Sequence, residues 1–208
     1  MPDPGVTCWP APSRECGAPR RPDDLEGLAT AAVAADGVIH LAFKHDTMFA
    51  GDFDSAVAAD LRAIDTLGDA LAGTGKPLVT TSGTMLLAFA GLENAATEAD
   101  VIEAGPRIDG DNAVVALTER GIRSSVVRLA PTVHSTLDHN GFIPSLISIA
   151  RSKGVAAYVG DGDNRWPAVH TLDAARLALE SAQQGHGCTQ STTRGSPSGR
   201  SPRPSAAG

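Results

Sequence analysis

No uninterrupted apolar run among these 208 residues approaches the roughly 20 needed to cross a bilayer. The start, Met1-Pro-Asp-Pro-Gly, lacks the basic residues and apolar stretch of a secretory signal, so the expected compartment is the cytoplasm. Positive charge is scarce as well, with 17 Lys and Arg against 24 Asp and Glu and a formal net charge of -7. Nucleic acid and anionic membrane both need a basic surface, so neither is an expected partner, whereas a small molecule carrying a local anionic group remains compatible. Cysteine is sparse. Cys8, Cys16 and Cys188 all lie near the termini, and none forms a Cys-x-x-Cys pair. They read as free thiols, because a zinc or redox site needs more ligands at closer spacing. Phenol groups are scarcer still, since Tyr158 is the one tyrosine.

What is present suffices for one globular domain, with 42% apolar and 20% charged residues. Residues 1–22 are proline-rich and show no period of 2 or 3.6, so they are expected to be a disordered N-terminal segment. Residues 184–208 contain no aliphatic side chain larger than alanine and are expected to be a disordered tail. The abrupt change of composition at both junctions suggests out-of-frame translation of GC-rich DNA. Residues 23–183 alternate regularly between helix and strand patterns. Asp23 or Asp24 caps a helix through Ala35, and a strand Val38 to Ala42 follows. From about Asp52 to Leu71, the apolar residues Phe53, Val57, Leu61, Ile64, Leu67 and Leu71 recur every three or four positions, the mark of a helix docked on a sheet. Gly73 and Gly75 end it before a strand Leu78 to Thr81. An irregular segment from Ser82 to about Arg107 leads to a helix near Asp111 to Arg120 and a strand Ser124 to Leu129. A helix Phe142 to Lys153, a short strand Ala156 to Val159 and a helix Leu172 to Ser181 complete the pattern. Helical crossovers between successive strands imply parallel pairing. The fold class is therefore α/β, a doubly wound parallel sheet.

Asp24 through Asp36-Gly-Val-Ile-His-Leu-Ala, Val79-Thr-Thr-Ser-Gly-Thr84, Val126-Val-Arg-Leu-Ala-Pro-Thr-Val-His134 and the segment from Asn164-Arg-Trp-Pro to Asp173 stand in this order along the chain. Together they resemble the NAD-dependent epimerase/dehydratase branch of the short-chain dehydrogenase/reductases over roughly residues 23 to 181. The resemblance implies a partial Rossmann-like sheet beginning at the family's fourth strand and lacking its first strands. It implies NAD or NADP as cofactor and a small carbonyl or sugar-like molecule as substrate. Leu41, Ala42 and Phe43, Thr81, and Pro131, Thr132 and Val133 match positions that line the cofactor. Ser82, with Thr84 next, matches the hydroxyl that polarises a substrate oxygen, a role in which a donor meets developing negative charge. His40 reads as a packing residue.

The pattern departs from the family at the proton-transfer pair. Where Tyr-x-x-x-Lys is expected, this chain carries Arg107 and Asp111. A guanidinium stays protonated at ordinary pH, so Arg107 can bind an anionic oxygen but is ill suited to shuttle a proton. Asp111 is expected to pair with it across one helical turn. His134, Asp138 and His139 offer metal-ligand chemistry without a fixed register, and no metal is expected. Asp161-Gly-Asp-Asn164 reads as a polar turn. The glycine-rich turn that holds a dinucleotide's pyrophosphate has no counterpart upstream. Weak or absent turnover is the consequence, and the strand Val38 to Ala42 is expected to form an open edge suited to self-association. The alternatives are a redox-inactive dinucleotide-binding or interaction module, a frameshifted fragment without function, and, at the level of fold, a flavodoxin-like sheet.

Overall fold

The structure, a computed structural model, describes residues 23–89, 96–98, 100, 102–105, 107–163, 165–184 and 187–190. The strands are β1 (Val38–His40), β2 (Pro77–Gly83), β3 (Arg123–Leu129), β4 (Thr132–His134), β5 (Ala168–His170) and β6 (Gly187–Gln190). The helices are α1 (Leu25–Ala34), α2 (His45–Phe49), α3 (Phe53–Leu71), α4 (Met85–Phe89), α5 (Ile108–Ala116), α6 (Phe142–Lys153) and α7 (Thr171–Gln184). A 3-10 turn, Leu117–Arg120, extends α5.

The main sheet runs β1-β2-β3-β6, and all its pairs are parallel. Side chains of a strand alternate between faces, so consecutive apolar residues are useful only where both faces are covered. Leu78 and Val126 pack on one face with Leu28, Ile64, Leu67, Leu71 and Val114, which come from α1, α3 and α5. Val79 and Val127 pack on the other with Ala178 of α7. The apolar runs of β2 and β3 thus become the middle of a three-layer domain, where each fully buried leucine or valine contributes ~1.5–3 kcal/mol. Capping fixes where the helices begin. Asp24 accepts from the Gly27 amide at 2.9 Å, and Asp52 accepts from the Ser55 amide at 3.2 Å.

Several expectations are corrected. The first strand ends at His40, not Ala42, because the chain turns away from β2 there. Within the segment expected to be irregular, β2 continues to Gly83 and α4 follows. The strand expected over residues 156–159 does not form, whereas Thr132–His134 and Ala168–His170 pair in a separate parallel two-stranded sheet. The tail expected to be featureless contributes β6 against Ser125 to Arg128. Its placement follows from Arg123, whose guanidinium donates to the carbonyls of Ala182 and Gln183 at 3.0 and 2.9 Å and to Gly75 at 2.9 Å. This clamp satisfies the last carbonyls of α7 and ties them to the start of β3. The expectations for residues 1–22, including Cys8 and Cys16, and for residues 191–208 lie outside the described residues. Among the described strands, β1 and β6 are the two edges of the main sheet.

Candidate functional site

Parallel pairing sends the carboxyl ends of β1, β2 and β3 to the same rim of the sheet. Because Gly83 is level with Leu129, the segments after β2 and β3 leave the sheet together, and the segment after His40, which is level with Thr80, leaves it three residues earlier at the same rim. In an open α/β sheet, this is the rim at which ligands bind. Ala42 and Phe43 are buried there and Leu41 is 59% exposed, so the three residues after β1 offer one apolar side chain outward. Thr132 is buried, with Pro131 and Val133 half-buried beside it.

Two charged clusters occupy this rim. In the first, Arg107 Nη2 donates to the Thr81 carbonyl at 3.0 Å and to Asp60 Oδ2 at 3.4 Å. Its guanidinium carbon sits 3.9 Å from the centre of the Phe43 ring, a cation–π contact. The other oxygen of Asp60 lies 3.0 Å from His40 Nε2. Burial lowers the Arg107 pKa from its ordinary value, while the Asp60 and Asp111 carboxylates oppose that shift. The buried Arg107 Nε and His40 Nδ1 have no hydrogen-bond partner.

In the second cluster, Asp111 Oδ2 accepts from Arg128 Nε at 2.9 Å and from the Ser82 hydroxyl at 3.1 Å. Asp111 is 3% exposed and Arg128 4% exposed. The pairing expected between Arg107 and Asp111 is therefore corrected: Arg107 turns to Asp60 on α3, and Asp111 turns to Arg128 on β3. The reason is directional. Arg107 has φ 64° and precedes α5, so it does not share a helical face with Asp111. Ser82 spends its proton on Asp111 and can only accept from a ligand in that state. Thr84, whose amide donates to the Leu129 carbonyl at 2.9 Å, is the second hydroxyl at the end of β2.

A cavity of about 700 Å³ opens between β4 and α6, lined by His134, Ser135, Asp138, Ile143, Ile147 and Arg151 among others. Asp138 Oδ1 accepts from the Gly141 amide at 2.7 Å, and its second oxygen is buried without a partner. Ile143 and Ile147, two of the exposed apolar residues of α6, form part of the wall. The cavity joins one apolar side to hydroxyl and charged groups, a composition suited to a small polar molecule. Among the described residues no three His, Cys, Asp or Glu side chains form a cluster able to hold a metal, and no helix is long and apolar enough to cross a membrane.

Asp60, Arg128 and His45 were not singled out from sequence. Asp60 and Arg128 carry a legible signal, a charge set against a buried stripe: Asp60 is flanked at four-residue intervals by Ala56 and Ile64, and Arg128 follows Val126 and Val127 in a buried strand. The described residues suit the nicotinamide-ribose end of a dinucleotide, because buried Ala42 and Ala130 keep side-chain bulk low at two strand ends. A glycine-rich pyrophosphate turn is not found among the described residues, so the fit concerns that end alone.

Comparison with solved structures places the architecture. MoeE5, solved in complex with UDP-glucose and NAD, superposes with a TM-score of 0.63 at 19% identity over 80% of this chain and 60% of that one. The chain has the fold of the NAD-dependent epimerase/dehydratase enzymes. The enzyme WbmG of Bordetella bronchiseptica, solved with NAD, gives 0.57 at 17% identity over 82% of this chain and 55% of that one. Pen from Bacillus thuringiensis gives 0.57 at 15%, over 82% and 50%. No family model matches the chain. The uncharacterized protein C2A9.02 of Schizosaccharomyces pombe is 42% identical over 168 residues, 78% of this chain and 55% of that protein. The uncharacterized protein YLL056C of Saccharomyces cerevisiae is 36% identical over 168 residues, 78% of this chain and 54% of that protein. The chain thus spans about half the length of these curated relatives.

Proposed function

We propose that the chain is part of an NAD(P)-dependent oxidoreductase or epimerase/dehydratase acting on a small carbonyl or sugar-like substrate. The observation that carries this reading is Arg107, fixed by Asp60, the Thr81 carbonyl and Phe43 at the rim where three parallel strands end. Leu41 to Phe43, Thr81 and Pro131 to Val133 would hold the nicotinamide-ribose end of the dinucleotide, which supplies hydride exchange when bound. Thr84 donates a hydrogen bond from its hydroxyl to the substrate oxygen, and Arg107 balances negative charge on that oxygen as a fixed cation. Asp111 and Arg128 keep Ser82 and the end of β2 rigid. The cavity beside α6 takes the rest of the substrate. Two neighbours of the same fold are solved with NAD, which supports the cofactor class.

Titration with NADH and NADPH, followed by loss of the nicotinamide absorbance on adding small aldehydes and ketoses, tests the reading. Binding with slow turnover is expected, and failure to bind either dinucleotide would refute it. A second reading is a redox-inactive dinucleotide-binding module. Its support is that Arg107 and Asp111, the residues standing where a proton-transfer pair is sought, are each tied into a structural ion pair. Binding without turnover decides for it.

A further inference from the structure

We propose that His45 is the proton-transfer residue of this site, taking the proton of a substrate hydroxyl at the rim above Phe43. This rests on the oxidoreductase reading above. Hydride chemistry at an alcohol or carbonyl carbon requires a partner for the oxygen's proton, and a group that titrates near neutrality serves best. Arg107 remains charged, and Tyr158 is 73% exposed on the loop that follows α6. His40 is 3% exposed and bound to Asp60. His45 differs from all three. Its ring stands edge-on to Phe43 at 5.2 Å, on the same phenyl group that carries the Arg107 guanidinium, and Phe49 lies 6.3 Å from it on the opposite end of α2. The residue as a whole remains open to solvent.

The electrostatics suit a base. Partial burial of the ring lowers the His45 pKa below the ordinary 6.5, and Arg107 lowers it further, while the Phe43 carbonyl, Asp46 and Asp60 oppose the shift. The neutral imidazole therefore prevails at neutral pH and can accept a proton. In the oxidising direction, the hydroxyl proton passes to the free ring nitrogen. With a dinucleotide bound, the O–H electron pair would form the carbon–oxygen double bond, and the carbon–hydrogen pair would leave as the hydride that the oxidised nicotinamide accepts. Reduction runs the same bonds in reverse, with the imidazolium returning the proton.

The experiment combines an imidazole NMR titration from about pH 5 to about 8 with NAD⁺-dependent oxidation of small secondary alcohols and polyols over that range. His45 should titrate below 6.5, and its midpoint should rise in R107Q. The wild-type kcat/KM should climb with pH through that midpoint. H45Q should lose this limb and about 100-fold or more in kcat/KM, while its NADH dissociation constant stays within about twofold. An H45Q profile matching the wild type, or a His45 midpoint indifferent to R107Q, overturns the assignment. Wild-type protein that binds NADH without turning over removes the role but leaves cofactor binding intact, whereas absence of NADH binding overturns the parent reading and this one with it.

Discussion

Arg128→Met is the sharpest test of how the rim is built. The substitution keeps the length and apolar character of the stem and removes the cation that faces Asp111 at 2.9 Å. Both groups are about 5% exposed or less, so Asp111 would be left as an uncompensated charge in a place water does not reach. Breaking one side of such a pair costs ~3–5 kcal/mol. For a domain of this size each kcal/mol moves Tm by roughly 2–4 °C, so R128M should melt about 6–20 °C below the wild type. Urea unfolding followed by circular dichroism gives the free energy independently, with the midpoint falling and the slope unchanged. The double variant R128M/D111L separates the loss of the pair from the burial of a lone charge. Removing both charges should recover most of the loss, because a buried ion pair is often no better than apolar groups of similar volume. The Ser82 hydroxyl then lacks its acceptor, so a residue of about 1 kcal/mol should persist and vanish when S82A is added. An R128M loss under about 1 kcal/mol, or a double variant no more stable than the single one, would refute the account.

Two further outcomes follow. Gly37→Ala should destabilise the fold by ~1–3 kcal/mol in urea, because its Cβ would come to 2.4 Å from Pro77 Cγ and 2.9 Å from Pro77 Cδ, on a ring that cannot swing aside. His45 should make stability fall as the medium is acidified. Its folded value lies below the ordinary one, so between the two the unfolded chain binds more protons, and stability is lost as pH drops from 6.5 to the folded value. The urea midpoint measured against pH should show this slope in the wild type and a shallower one in R107Q.

The layers of the domain were legible because they depend on periodicity. The apolar stripe of α3 and the consecutive buried residues of β2 and β3 signal a helix on a doubly covered sheet whatever the remote contacts. Ser82 and Thr84 were found at the end of β2 for the same reason, since strand and turn place them together. Elements held by distant partners were not legible. Gly187–Gln190 has weak strand character of its own, and it pairs with β3 because Arg123 seizes the end of α7, 59 and 60 residues away in sequence. The pairing of β4 with β5 similarly joins two three-residue strands that no local pattern marks. Ion-pair partners were the least legible feature. Spacing alone suggested Arg107 with Asp111, but the direction in which the backbone leaves residue 107 decided otherwise.

That backbone direction separates the two arginines of the rim by role. Arg128 sits in a regular strand, and its pair with Asp111 is explained by the need to satisfy buried charge. Arg107 holds φ 64°, a left-handed conformation that costs a non-glycine residue about 1–3 kcal/mol and that glycine would adopt freely. A residue whose task was only to end a loop and begin α5 would not incur that strain. The contacts to Asp60, the Thr81 carbonyl and Phe43 offset it, yet they use one guanidinium nitrogen and one face of the group, leaving Nε without a partner. A donor that is held in place, desolvated and unspent is what a site offers to an incoming oxygen. On the function proposed above, the strain at residue 107 would serve to present that donor to a ligand, whereas the burial at residue 128 needs no ligand to explain it.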